Sequence, residues 1–242
     1  MNPASKGCAT VTSKLRLFAL ALLGASLAAP ALAQSTDLSG FWWVHNPSGQ
    51  IAIDPATLPM LPAARKAYIA NQTAAAARTP MPVGVHACMP DGPTRLMLQP
   101  YPFQILQRPA QVTILFERQH MVRFLRIGGA HEPDYYPLYV GDSIAHWDGP
   151  ALVVETEGMN DLTVLDDRGL PHGDQLKLVE RFTLAEGGKT LVVDTLVTDP
   201  GSYAKPWSYN TRFDRKTNVA LMDDVCTYGP PQRDAKPSET AK

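Results

Sequence analysis

The sequence lacks the short motifs that mark most metal, nucleotide and serine-nucleophile sites. No histidines stand in the His-x-His or His-Glu-x-x-His spacing of a zinc site, and no carboxylate-rich loop has the EF-hand pattern for calcium. There is no Gly-x-Ser-x-Gly nucleophile elbow, and no glycine-rich phosphate loop precedes a helix. We therefore predict no metal and no cofactor.

Strong charge of one sign is also missing. The 242 residues carry 22 Lys and Arg and 23 Asp and Glu, a formal net charge of −1, with no basic block. Nucleic-acid-binding domains usually carry a basic patch, so we predict no nucleic-acid partner. The chain is 45% hydrophobic, which is enough to bury a core, and its 22 prolines favour a loop-rich fold.

Only one long hydrophobic run is present, and it lies near the start. Three basic residues precede the apolar run 17–29, and Ala31-Leu32-Ala33 supplies the small residues that a signal peptidase needs. The run is shorter than the roughly 20 residues of a membrane-spanning helix. We predict a signal peptide over residues 1–33, a periplasmic or secreted location, and no membrane span in the mature chain.

Cysteine is scarce, with three in the whole chain. Cys8 precedes the apolar run and leaves with the signal peptide. Cys88 and Cys226 stay in the mature chain, and an even number of cysteines in an exported protein favours a disulfide. The alternative is a pair of buried free thiols.

Short strands separated by turns dominate the rest of the sequence. Strand-like segments of β-branched and aromatic residues lie at 37–45, 111–117, 120–127, 141–147, 151–156, 176–184, 190–198, 207–213 and 220–226. One alanine-rich helix is predicted at 63–77, directly after Pro62. This pattern predicts an all-β fold, either a single antiparallel barrel or a sandwich, in one domain over residues 34–229 with a flexible tail at 230–242.

Two stretches resemble known families. Gly40-Phe41-Trp42 is similar to the Gly-x-Trp opening of lipocalin-like barrels. The block at 141–156, with Asp166, Gly169-Leu-Pro-His172, Val179-Glu-Arg181 and Asp199-Pro200, resembles a family of secreted bacterial proteins. The second resemblance covers about residues 85–210; it implies a folded domain and an exported location, and brings no activity with it.

Charged residues on apolar strand faces are the first candidates for a site. Glu180 shares its face with Leu178 and Phe182, and Arg123 shares its face with Met121 and Leu125. Such groups are costly to bury unless they are paired. We expect either an ion pair of Arg123 with Glu180 or Glu117 that locks the core, or a polar cluster at the floor of a pocket.

Histidines in loops are the second set of candidates. His131 precedes Glu132 and Asp134, and His172 is followed by Gly173 and Asp174. A His–carboxylate pair could hold an imidazole as a general base. The predicted catalytic group is therefore His131, His172, Glu180 and Arg123. The alternative is that each histidine only stabilises a turn.

Aromatic residues near loops are candidates for lining a ligand pocket. We single out Trp42, Tyr135, Tyr136, His146, Trp147 and Trp207. Three functions remain open: a barrel that binds a small hydrophobic or aromatic molecule, a cofactor-free acid–base enzyme (isomerase, hydratase or lyase) that uses the same pocket, and a structural or partner-binding envelope protein. The sequence does not indicate an oligomeric state.

Overall fold

The fold is a closed β-barrel of nine strands, seen in a computed structural model that describes residues 36–77, 89–134 and 136–224. The strands are β1 (Gly40–Val44), β2 (Phe103–Arg108), β3 (Gln111–Phe116), β4 (Val122–Ile127), β5 (Asp142–Asp148), β6 (Ala151–Glu157), β7 (Lys177–Ala185), β8 (Thr190–Thr198) and β9 (Trp207–Lys216). The predicted choice between barrel and sandwich is thus settled in favour of the barrel. The chain divides after Leu32 into two units, and every described residue lies in the second.

The strands follow one another in sequence order around the barrel, and β9 pairs with β1 to close it. Every neighbouring pair is antiparallel except β4 and β5, which are parallel. A ring with an odd number of strands needs at least one such pair, because each antiparallel step reverses the strand direction. The connection 128–141 supplies the long crossover that parallel neighbours require. The barrel is therefore not the purely antiparallel one that we predicted.

Two α-helices lie between β1 and β2 in sequence: α1 (Pro62–Ala76) and α2 (Pro93–Leu98). The sequence predicts α1, whereas α2 and β2 were missed because both lie in proline-rich stretches. The predicted last strand at 220–226 is wrong over residues 220–224, which form no strand. No described helix has the length and apolarity needed to cross a membrane.

Apolar side chains fill the barrel. Alternate residues of each strand face inward, and eighteen of the buried apolar side chains form one cluster that includes Trp42, Phe103, Phe182 and Phe213. A second cluster, which includes Ile51, Leu165, Leu170 and Tyr203, packs the long loops against the start of β9 and the end of β8. The long loops are thereby fixed on a packed scaffold.

Candidate functional site

A buried ion pair crosses the barrel interior between β4 and β7. Arg123 is 1% exposed and Glu180 is 2% exposed. Arg123 Nη2 donates to Glu180 Oε2 at 2.5 Å, and Nη1 donates to Oε1 at 3.3 Å. This is one of the two ion pairs predicted from strand alternation; the other predicted partner, Glu117, instead accepts a hydrogen bond from the backbone N–H of Met222.

Polar side chains on neighbouring strands surround this pair. Arg123 Nη2 also donates to Thr156 Oγ1 at 3.1 Å, and Thr156 lies 2.9 Å from Ser143 Oγ. Burial raises the pKa of Tyr209, and the carboxylate of Glu180 raises it further, so this phenol keeps its proton at neutral pH. Both oxygens of Glu180 are engaged by Arg123, so the carboxylate is not positioned as a free general base.

His131 makes its hydrogen bond to an acid that is not one of its neighbours in sequence. Its Nδ1 lies 2.7 Å from Asp142 Oδ2, at the start of β5. Asp142 also accepts from Arg126, whose hydrogen bonds are the main reason that the pKa of this carboxyl lies below its ordinary value. Glu132 and Asp134, the acids near His131 in sequence, are exposed. The histidine thus belongs to a group that ties the 128–141 connection to β5.

His172 is buried with both ring nitrogens occupied. Nδ1 donates to the carbonyl oxygen of Gly173 at 3.0 Å, and Nε2 accepts from Thr163 Oγ1 at 2.7 Å. A carbonyl oxygen can only accept, so the proton is on Nδ1. Burial lowers the pKa of His172, which keeps the ring neutral. The four predicted catalytic residues therefore stand in three separate hydrogen-bonded groups.

The five predicted ligand-binding residues that the structure describes do not form one pocket. Trp42 is fully buried in the core, where its Nε1 donates to the carbonyl oxygen of Leu38. Trp147 is half-buried and packs on the same core, whereas Trp207 is buried in the second cluster beside Tyr203 and Tyr209. His146 is exposed on β5, and Tyr136 is exposed in the 128–141 connection. Tyr135 lies outside the described residues, as do Cys88 and Cys226.

One predicted residue does line an open cleft. Tyr136, Pro137, Tyr139, Asn160 and Leu162 surround a space of about 430 Å³, which we call the tyrosine cleft. Its two walls are joined by backbone hydrogen bonds, from Leu138 N to Gly158 O and from Asn160 N to Leu138 O, both 2.9 Å. The cleft volume falls within the roughly 300–1,000 Å³ of small-molecule sites.

Sequence reasoning missed Asn160 and Leu162 as parts of this cleft. The local signal was present, because Asn160 Oδ1 accepts from the backbone N–H of Leu162 in an Asx turn, a conformation that asparagine favours. What the sequence does not contain is the pairing of this turn with Leu138, which depends on the β4–β5 crossover.

Within the described ranges, no group of three or more His, Cys, Asp and Glu side chains is placed to hold a metal ion. No protein-family model matches the chain, and a search of curated proteins also finds no match.

Proposed function

We propose that this β-barrel protein binds a small hydrophobic or aromatic molecule in the tyrosine cleft. The observation that carries this proposal is the position of two tyrosine side chains, one of them 84% exposed, around an open space with apolar walls. Solvent-exposed aromatic rings are favourable surfaces for stacking a planar ligand. The site lies on loops that the barrel holds in place, where binding groups are commonly found.

The chemistry of the cleft suits a ring that also carries a polar substituent. Pro137 and Leu162 supply apolar contact area, and the two phenol hydroxyls supply donors and acceptors. The Nδ2 group of Asn160 makes no hydrogen bond within the described part of the chain and is available to a ligand oxygen. The barrel interior is a less suitable site, because apolar side chains and the Arg123–Glu180 pair occupy it.

The proposal is tested by calorimetric titration with 2-naphthol, a neutral aromatic probe with one hydroxyl. Replacing Tyr139 by Ala removes one stacking surface. An aromatic contact contributes about 0.5–1.5 kcal/mol, so we expect the dissociation constant to rise by about 2- to 12-fold. Phe124→Ala is the matched control, since it removes an exposed ring, 58% accessible, from the outer face of β4, away from the cleft.

We expect the control variant to bind 2-naphthol as the wild type does. Undetectable binding to the wild type at millimolar probe, or equal weakening in both variants, would rule the cleft out as the site.

The other two predicted functions stay predictions. Acid–base catalysis requires a base within hydrogen-bond reach of a substrate, whereas Glu180 and His172 each have their polar atoms engaged by protein partners. A structural or partner-binding role is compatible with the packed interior.

We also propose that the chain is exported, that it is cleaved after Ala33, and that Cys88 and Cys226 form a disulfide. The described neighbours of the two cysteines support the pairing. Gln119 Nε2 donates to the carbonyl oxygen of Met89 at 2.7 Å, and Gln119 N donates to Asp224 Oδ2 at 2.6 Å. Met89, which follows Cys88, and Asp224, two residues before Cys226, are thus both hydrogen-bonded to Gln119.

Denaturing mass spectrometry of protein purified from the periplasm tests all three statements. We expect the mass of a chain that starts at Gln34, lower by two hydrogens than the reduced chain. An uncleaved mass would contradict export with cleavage at this site, and a fully reduced mass would contradict the disulfide.

A further inference from the structure

A second surface loop, residues 46–52, is held by a buried hydrogen-bond network. Asp166, fully buried, accepts from the backbone N–H of Ile51 at 3.2 Å. Arg168 pairs with Asp166 and donates to the carbonyl oxygens of Ile51 at 2.7 Å and Ile53 at 2.8 Å. Asp166 and Arg168 therefore hold the backbone at the end of this loop in place.

A close backbone approach at Gly49 fixes the same loop at a second point. Gly49 has φ of +66°, and its carbonyl oxygen accepts from Asp167 N at 2.8 Å. A Cβ at this position would run into the Asp167 carboxylate, which Arg95 holds at 2.7 Å and Gln99 at 3.0 Å. These contacts hold the loop backbone in place before any ligand arrives, which reduces the entropy that binding would cost.

This loop carries polar side chains that make no hydrogen bond among the residues that the structure describes. The loop faces the middle of β9 across a pocket of about 140 Å³, which we call the amide pocket. Its floor is apolar, from the buried side chains of Val44 and Leu98, and the exposed side chains of Asn46, Gln50 and Asn210 line its rim. These three amide side chains make no hydrogen bond within the described part of the chain.

The charge around the pocket favours a neutral ligand. Two of its lining residues are able to carry positive charge, and both already contact carboxylates. Arg212 Nη2 lies 2.6 Å from Glu186 Oε1, and His45 Nδ1 lies 3.1 Å from Asp214 Oδ1. An anion would have to compete with these partners, whereas a neutral group with hydroxyls would not.

We propose that the amide pocket binds a neutral polyhydroxylated ring, that is, a single saccharide unit. Primary amides donate and accept at once, which matches hydroxyl groups, and the apolar floor matches the C–H face of a sugar ring. The pocket is smaller than the roughly 300 Å³ of the smallest drug-sized sites, so one ring fills it. This site shares no lining residue with the tyrosine cleft and does not depend on it.

The test is an NMR titration of the full mature protein with D-glucose, D-galactose and N-acetyl-D-glucosamine, each to tens of millimolar. We expect at least one sugar to shift the side-chain amide resonances of Asn46, Gln50 and Asn210. Asn46→Ala and Asn210→Ala should each weaken that binding about fivefold or more, the usual effect of losing one hydrogen bond. Asn160→Ala is the matched control and should leave sugar binding unchanged.

The results that would overturn this proposal differ from those that would rule out ligand binding in the tyrosine cleft. Absence of shifts with all three sugars would refute it, even if 2-naphthol binds. Weaker sugar binding in Asn160→Ala alone would place the sugar in the tyrosine cleft instead. Shifts of the same amides by inorganic phosphate, with none by the sugars, would make the pocket an anion site. Asn46→Ala should bind 2-naphthol like the wild type.

Discussion

Glu180→Gln tests the energetic role of the pair that crosses the barrel. The substitution keeps the shape of the side chain and removes its charge, which leaves Arg123 buried without a counter-ion. Thr156 remains as a neutral partner of Arg123. The Nε of this arginine already has no hydrogen-bond partner among the described residues, so the protein offers it no further compensation.

The expected loss is large because both charged groups are almost fully buried. Removing one partner of a buried pair costs about 3–5 kcal/mol. For a domain of this size each kcal/mol corresponds to about 2–4 °C, so we expect the melting temperature to fall by about 6–20 °C. Replacing both residues, as Arg123→Met with Glu180→Leu, should recover most of the loss, because no unpaired charge is then left inside.

The assay is denaturant and thermal unfolding of the two variants beside a matched control. Arg181→Gln breaks the Arg181–Asp148 pair on the outer face of the same strand, where the side chains are 42% and 63% exposed. Such a pair contributes about 0–1 kcal/mol, so this variant should unfold close to the wild type. If Glu180→Gln is no less stable than Arg181→Gln, the buried charge of Arg123 does not need Glu180 as its counter-ion.

Three further predictions concern the loops and the termini. Burial lowers the pKa of His172, so its imidazole binds a proton more weakly in the folded state than in the unfolded chain. The free energy of unfolding should therefore decrease as the pH drops below 6.5, the ordinary pKa of histidine. His172→Gln should flatten that part of the plot of melting temperature against pH. Gly49→Ala should lower the free energy of unfolding by more than about 1 kcal/mol in denaturant. The control is Gly128→Ala, which should cost distinctly less, because Gly128 has a similar positive φ but open space around it. Equal losses in the two variants would show that the contact with Asp167 is unimportant. Cys226→Ser should lower stability by about 2–5 kcal/mol in oxidising buffer, and an unchanged melting temperature would argue against the disulfide.

Sequence alternation predicted most of the barrel wall and its interior pair. The period of two in β7 places Glu180 among inward-facing apolar residues, and the same period in β4 places Arg123 there. The elements that were missed, β2 and α2, are six residues long and lie beside prolines. Pro102 and Pro109 bracket β2, and Pro93 begins α2, so these stretches carry the composition of turns and loops rather than of a strand or a helix.

The loop sites were less predictable, because their partners are distant in sequence. His131 pairs with Asp142 and His172 with Thr163, whereas nearness in sequence pointed to Glu132 and Asp174. The tyrosine cleft depends on the contact of Leu138 with Met159, and the amide pocket depends on the contact of Gly49 with Asp167. Both contacts join residues that are far apart in sequence, which local patterns do not encode.

We propose that the barrel is a filled scaffold and that the ligand binds on the loops outside it. Intermolecular NOEs between bound 2-naphthol and the protein test this claim most directly. We expect NOEs to Tyr136, Tyr139 and Leu162. NOEs to interior side chains such as Phe182 and Leu191 would contradict it, because they would place the ligand inside the barrel.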